Sequence, residues 1–206
     1  MKHLLHLFIA AAIIVPVFGC AFGTDYVKIN RYTPAGSSDT GKGAVVYVAK
    51  MEDNRPQPEY LGQKAGGYIA LEKGLNMSDI LTRNVVSTLE NAGYTVKYGE
   101  GSIPEGQPVL HPSLEELWTS FVQGFWTVDA NTKARMDFEL TEGDHTLWKK
   151  KIGKGHIESG VAAPPGLFED SLNAALSDVM KELESGVSSE EFKNAVLKGT
   201  LVSQPK

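Results

Sequence analysis

Apolar side chains recur along the chain first as continuous runs, then at helical spacing, and finally in period-two alternation. Residues 44–51 (AVVYVAKM) form a β-branched apolar run, which predicts a buried strand. A loop rich in Pro and Gly follows. Residues 78–93 then predict a helix with Ser78 as N-cap and Gly93 as its stop, and 94–98 predict a short strand. The apolar stripe of this helix comprises Leu81, Val85, Leu89 and Ala92.

The second half of the chain predicts three long strands. They span 116–128 with Gly124 as a bulge, 133–140 with clean alternation, and 146–157. A three-residue loop would place Asp137 opposite Lys149. A second helix is predicted over 168–183 before Gly186, and a Ser188–Glu191 capping box predicts a short helix stopping at Gly199. The stripe of the second helix comprises Leu172, Leu176, Val179 and Leu183.

These elements occur in the order β-α-β-β-β-β-α. They predict an α/β (α+β) fold with a single mixed sheet of about five strands, two main helices packed on it, and a short C-terminal helix. The predicted organisation is a signal peptide over 1–19, a lipidated N-terminus and flexible tether over 20–42, an α/β domain over 43–186, and a short helix with a tail over 187–206.

The N-terminal residues indicate export. Lys2 precedes an apolar stretch over residues 4–15, and Pro16 interrupts it. The sequence Val17-Phe18-Gly19-Cys20 resembles a bacterial lipobox, in which the cysteine carries the lipid. The alternatives are an ordinary cleaved signal with Cys20 near the cut, or an uncleaved anchor. By resemblance to enteric-type lipoproteins, Ala21 after the cysteine indicates the outer membrane.

Composition narrows the classes of partner. The chain has 20 basic and 25 acidic residues, for a net charge of −5. Loss of the first nineteen residues, which include one lysine and no acid, lowers this to −6. Such a charge argues against nucleic acid as the main partner. Cys20 is the single cysteine and has no partner for an internal disulfide, so acylation, for example by palmitate, is the use we predict for it.

Candidate catalytic and cofactor motifs are weak. Residues 36–43 (GSSDTGKG) match a phosphate-binding loop as far as Lys42, but Gly43 replaces the Ser or Thr that would bind magnesium. His111, His145 and His156 are isolated, with no H-x-x-H spacing and no Cys partner. There is no G-x-S-x-G motif. We therefore expect no enzyme activity, metal, cofactor or nucleotide.

Two clusters are candidate contact surfaces. The predicted strand 116–128 has aromatic side chains on both faces, so one face is expected to pack under the helices. The other face is either further core or a surface for a partner or lipid. A basic stretch over 149–154 is either a solvated face or a contact for anionic headgroups or peptidoglycan. The candidates are Trp118, Phe121, Phe125 and Trp126 with Lys149, Lys150, Lys151 and Lys154.

Asp53 and Arg55 follow the first strand, and Gly62 comes seven positions after the arginine. They are either a structural turn or a ligand site where a strand leaves the sheet. The stretch VVYVAKMEDNRPQPEYLG that holds them, the helix end LENAGY and the block over 114–155 resemble the YajG-like family of bacterial lipoproteins. They are similar, more distantly, to auxiliary lipoproteins of ABC transporters. The resemblance implies a lipid-anchored envelope protein.

The leading functional hypothesis is a membrane-anchored periplasmic domain without enzymatic activity. It would bind the membrane through its lipid and a protein of the cell envelope through its surface, as an accessory of transport or envelope assembly. The alternative is a carrier holding a small apolar or lipid ligand between the sheet and the helices. An envelope hydrolase is a third hypothesis, which the missing nucleophile and metal motifs disfavour.

Overall fold

The computed structural model describes residues 23–99, 103–161 and 163–202, and the predicted signal peptide, Cys20 and Ala21 lie outside these residues. Nine strands and three helices occur in the described residues. The strands are β1 (Gly23–Val27), β2 (Val45–Val48), β3 (Glu52–Asp53), β4 (Gly62–Lys64), β5 (Gly67–Leu71), β6 (Thr95–Tyr98), β7 (Val109–Gln123), β8 (Val128–Glu142) and β9 (His145–Gly160). The helices are α1 (Met77–Asn91), α2 (Pro165–Val187) and α3 (Glu190–Val202).

The nine described strands belong to one mixed sheet organised around β7. On one edge, β7 pairs with β8, and β8 pairs with β9, so that β7–β9 form a long antiparallel meander. On its other edge, β7 pairs in turn with β2, β3 and β4, all parallel to it. The sheet then extends from β2 to β6 and from β4 through β5 to β1.

The prediction of a sheet of about five strands in the order β-α-β-β-β-β-α is therefore wrong. Strands β3 to β5 lie in a region that its prolines and glycines made look like a loop. Each has two to five residues, too few to show alternation, and they are strands because the edge of β7 pairs with β3 and β4. Strand β7 also begins at Val109 rather than at residue 116. Pro112 does not interrupt the strand, because it lies between the residues that pair with β2 and those that pair with β3.

The predicted flexible tether is also wrong for the described residues. Strand β1 pairs in parallel with β5, and Gly67 permits this pairing because a Cβ there would collide with the carbonyl of Gly23. Val27 and Ile29 are buried. The Tyr32 hydroxyl donates to Glu184 of α2 at 2.7 Å, so this segment is joined to the rest of the domain.

Helices α1 and α2 supply apolar stripes to the core, and both predicted stripes are confirmed as buried. The side chain of Asn76, rather than that of Ser78, caps α1 by accepting the Asp79 N–H at 3.0 Å. Gly93 follows this helix at a φ of +87°, as predicted for a stop. Helix α2 continues past the predicted end, so Gly186 lies inside it.

Helix α3 packs onto the domain near the β8–β9 turn. Its first turn is capped by Ser189 rather than Ser188, because the Phe192 N–H donates to the Ser189 hydroxyl at 3.2 Å. The helix continues through Gly199 to Val202. Phe192 is fully buried, and its ring makes edge contacts with Trp148 and Tyr94 at centroid distances of 4.8 and 5.4 Å.

The meander has an inner face under the helices and an outer face. The predicted alternation of β8 is confirmed, because Ala134, Met136, Phe138 and Leu140 are buried while Arg135 points outward. The β8–β9 hairpin has a two-residue turn and a register shift between Leu140 and Thr141, so the predicted pairing of Asp137 with Lys149 is wrong. Asp137 pairs with Lys151, and Glu139 pairs with Lys149.

Candidate functional site

The outer face of the meander presents polar and charged side chains to solvent. Lys133 and Arg135 of β8 are exposed, as are Lys149 and Lys151 of β9. Glycines occupy the β9 positions opposite Lys133 and Arg135, and a Cβ added at Gly153 would meet nothing within 4 Å. The outer face is therefore open and shallow beside the middle of β7.

A groove of about 440 Å³ lies at this point of the outer face. Trp118 of β7 and Arg135 of β8 form one side, and the loop after β3 forms the other. Arg135 Nη1 lies 3.6 Å from Glu116 Oε2. The groove is lined by Arg55, Pro56, Gln57, Glu116, Trp118 and Arg135, which combine an indole ring with charges of both signs.

Glu115 also borders the groove and is held by two donors. The Ser113 hydroxyl donates to Glu115 Oε1 at 2.7 Å, and the Asn54 amide donates to the same oxygen at 3.0 Å. These hydrogen bonds, the first above all, hold the pKa of Glu115 below its usual range. The groove therefore keeps a fixed negative charge opposite Arg135.

Asp53 and Arg55 form a closed structural unit beneath the groove. Arg55 is 6% exposed and makes a bidentate pair with Asp53, with both N–O distances at 2.7 Å. Two further N–H groups donate to the carbonyls of Tyr60 at 2.9 Å and Pro58 at 2.8 Å. The guanidinium group is thus committed to shaping the loop between β3 and β4.

Gly62 belongs to the same unit through the pairing of β4 with β7. A Cβ at this position would collide with the carbonyl oxygen of Thr119, so only glycine permits the strands to approach this closely. The loop that forms one side of the groove is therefore held in its path by Asp53, Arg55 and Gly62.

The aromatic candidates are divided among three places. Trp118 is half-buried on the outer face, whereas Phe121 is half-buried against the core on the inner face. Strand β7 ends at Gln123, so the predicted strand end at residue 128 is wrong. The predicted bulge at Gly124 is also wrong, because the register shift of β7 against β8 falls between Leu114 and Glu116. Phe125 and Trp126 lie in the β7–β8 turn, 88% and 79% exposed.

The predicted basic stretch lies at the other end of the meander and is paired internally. Lys149 contacts Glu139 at 2.9 Å, and Lys151 contacts Asp137 at 2.8 Å. Lys154 and Lys150 approach Glu182 of α2 at 2.5 and 3.8 Å. These ion pairs reduce the local positive potential, and the structure does not bring the lysines together with Phe125 and Trp126.

The remaining motifs make structural contacts. The backbone N–H groups of Ser38, Gly41 and Gly43 donate to carbonyls at the end of α1 and just beyond it, instead of facing a phosphate. Across the described ranges, no group of three or more His, Cys, Asp or Glu side chains has the geometry to hold a metal ion. None of the three helices described is long and apolar enough to cross a bilayer.

This geometry defines an α+β protein with a long meander, and solved structures share it. Protein XCC0632 from Xanthomonas campestris, of family DUF330, superposes with a TM-score of 0.55 at 10% identity, covering 88% of this chain and 99% of the other. A putative neuraminyllactose-binding hemagglutinin homolog from Helicobacter pylori superposes with a TM-score of 0.57 at 11% identity, covering 85% and 100%. At these identities the similarity shows the fold.

A bacterial lipoprotein is a more remote structural neighbour. Lipoprotein GNA1162 from Neisseria meningitidis has a TM-score of 0.32 at 12% identity, covering 66% of this chain and 97% of its own. That similarity is too distant to support an argument. No family model and no curated protein matches the sequence. The YajG-like resemblance thus stays a prediction.

Sequence reasoning missed how the groove is assembled. Glu115 belongs to β7 and Arg135 to β8, and the loop holding Arg55 is far from both in sequence. Only the pairing of β3 with β7 brings the Arg55 loop next to Glu115 and Arg135. No local pattern in the sequence indicates that pairing.

Proposed function

We propose that this chain is a lipid-anchored protein of the bacterial cell envelope that binds a protein partner through the outer face of its sheet. The observation that carries the proposal is the groove beside Trp118, where an indole ring and charged side chains are accessible on an open sheet face. Tryptophan and arginine are the residues most enriched among energetic anchors of protein interfaces.

Several further observations support a binding role. The groove is built on rigid elements, since Arg55 and Gly62 fix its loop wall and β7 and β8 fix its other side. The Helicobacter neighbour bears the name of a binding protein. A lipid at Cys20 would confine the domain to a thin layer at the bilayer and raise its effective concentration near an envelope partner. Ala21 makes the outer membrane the proposed location.

The carrier alternative has less support. The inner face of the meander is filled by α2, and Phe138, Met136 and Phe168 are completely buried between them. A ligand held between the sheet and the helices would have to displace these side chains. Native mass spectrometry of delipidated protein tests this alternative, because a carrier would retain a small apolar molecule.

Site-specific photocrosslinking in intact cells tests the proposed contact surface. A photoreactive residue at position 116, in the groove, should give a defined adduct with an envelope protein. The same residue at Lys181, which is exposed on α2, is the matched control and should give none. Equal adducts at both positions would show that the groove is not a specific surface.

Three further variants separate the anchor from the groove. Cys20→Ala should abolish palmitate labelling and release the protein from membranes, while Trp118→Ala should keep both but lose the adduct. Ala21→Asp should shift the protein from the outer to the inner membrane fraction. A Cys20→Ala protein that remains membrane-bound and keeps its adduct would contradict the tethering mechanism.

A further inference from the structure

Five exposed apolar residues lie together at one end of the meander and form what we call the apolar tip. Their exposed fractions range from 48% to 90%. Two of them occupy the four-residue turn between β7 and β8, where their rings meet edge to face at 4.8 Å. The others flank the turn at the end of β7, near the end of β9 and just after β9. The apolar tip comprises Val122, Phe125, Trp126, Ile157 and Val161.

The turn itself does not require these residues. Gly124 N–H donates to the Thr127 carbonyl at 2.8 Å and closes the turn, and Phe125 and Trp126 project from it. Turns of this kind usually carry Gly, Asn, Asp or Ser at such positions. Aromatic rings held in water at a turn lose the burial that would stabilise them, so they point to a surface that covers them.

The strand register places the start of the described chain at the same end of the sheet. Gly23 of β1 is level with Gly67 of β5, which is level with Lys64 of β4. Because Gln63 is level with Ser120 in parallel pairing, Lys64 is level with Phe121, two residues before β7 ends. Three strand spacings of about 4.8 Å separate β1 from β7, or about 14 Å.

Cys20 is three positions before Gly23, so a chain of that length can reach at most about 11 Å beyond it. Acyl chains on Cys20 would therefore enter the bilayer beside the apolar tip. Aromatic side chains, tryptophan above all, favour the interface between headgroups and acyl chains.

We propose that the apolar tip inserts into the interface of the same bilayer that holds the Cys20 lipid, as a second anchor; this rests on the lipid anchor of the proposed function. Two attachment points at one end of the sheet orient the domain with β7–β9 rising from the membrane. The groove beside Trp118 then faces sideways, above the headgroups, where an envelope protein can reach it.

The charge distribution indicates that apolar burial, rather than attraction between opposite charges, would drive this insertion. Lys149 and Lys151 lie toward the opposite end of β9 and are paired with Glu139 and Asp137. Lys149 and Ile157 are eight residues apart on this strand, or about 26 Å. Lys64, level with Phe121, is paired with Asp25 at 2.6 Å. Insertion should therefore be similar in zwitterionic and anionic bilayers, and a strict requirement for anionic lipid would overturn the proposal.

Depth-dependent fluorescence quenching tests the proposal with the acylated protein reconstituted in phosphatidylcholine vesicles that carry bromine on the acyl chains. Tryptophan emission should be quenched, and Trp126→Phe should lose most of the quenching. Trp118→Phe should retain it. If the acylated protein floats with the vesicles but Trp126 is not quenched, the tip does not insert although the lipid anchor holds. If the protein does not float at all, the lipid anchor itself is wrong.

Vesicle partitioning of the unacylated Cys20→Ala protein provides the second test. The double variant Phe125→Ser/Trp126→Ser should weaken partitioning by about a hundredfold or more, because both rings lose their apolar burial in the bilayer. Leu75→Ser is the matched control and should leave partitioning unchanged, since Leu75 is 43% exposed in the loop that joins the opposite end of β5 to α1. Equal losses in both variants would overturn the proposal. The proposal would also be overturned if the parent protein were a dimer, the double variant a monomer, and partitioning the same in both. The tip would then contact a second copy of the chain instead of the bilayer.

Discussion

The two ends of the β7–β9 meander use similar residues in opposite ways. At the β8–β9 end, Trp148 is 6% exposed and packs on Phe192 of α3, while Lys149 pairs with Glu139. At the β7–β8 end, Phe125 and Trp126 contact each other and are almost fully exposed. Aromatic residues at the first end stabilise the fold, and those at the second are available to something outside it.

Composition alone therefore does not reveal a contact surface. Both ends combine aromatic and polar residues in the sequence, and the lysines made the β8–β9 end look suited to anionic headgroups. What distinguishes the ends is α3, which returns to cover Trp148. A surface for a partner is better recognised by side chains whose interactions the fold leaves incomplete.

Truncation of one ring at each end should separate the two roles most clearly. Phe192→Ala removes a fully buried ring between Trp148 and Tyr94, and large-to-small changes of this kind cost about 3–5 kcal/mol. Phe125→Ala should leave the free energy of unfolding nearly unchanged. Urea unfolding followed by circular dichroism measures both. Comparable losses would mean that the tip ring is part of the core.

Much of the fold was accessible from sequence where patterns are long. The stripe from Leu81 to Ala92 and the alternation of β8 predicted the correct faces, because each repeats over several turns or residue pairs. Strands β3 and β4, with two and three residues, could not be predicted, since they exist through pairing with β7. The same holds for β1, whose partner β5 also lay in the apparent loop.

The candidate site was accessible only in part. Trp118, Phe125 and Trp126 were identified as candidates from their aromatic character, but their division between groove and turn depends on where β7 ends. The hydrogen-bonded turn at Gly124 places Phe125 and Trp126 in the apolar tip, whereas the sequence predicted them on the faces of a strand. The pairing of Lys151 with Asp137 depended on a register shift that the sequence did not indicate.

Salt should distinguish the ion pairs of β9 and α2 from the apolar core at the β8–β9 end. Glu182 of α2 pairs with Lys154 and Lys150, and the hydrogen bond from Lys154 above all lowers its pKa. Because the pair is partly exposed, Glu182→Gln should cost about 1 kcal/mol or less at low salt. The difference should shrink in 1 M salt, where the screening length is about 3 Å. The loss caused by Phe192→Ala should persist at both concentrations, and a salt-independent Glu182→Gln effect would contradict ion pairing.

The smallest effect should come from Glu139 and should depend on pH. The Thr146 hydroxyl at 2.6 Å, and then Lys149 at 2.9 Å, lower the pKa of Glu139 below its usual value of 4.5. A lowered pKa in the folded state adds stability above the unfolded pKa, and that stability is lost as the pH falls through the folded value. Glu139→Gln should therefore destabilise the protein at pH 7, by less than Glu182→Gln, and the difference in unfolding free energy from the parent protein should vanish below the folded pKa.

Thr146→Val removes the first donor without changing the charge, so the stability lost in this variant should also diminish in acid. Unfolding at pH 7 and pH 3 measures both variants, and a pH-independent difference would show that the carboxylate at the β8–β9 end is not stabilised by these donors.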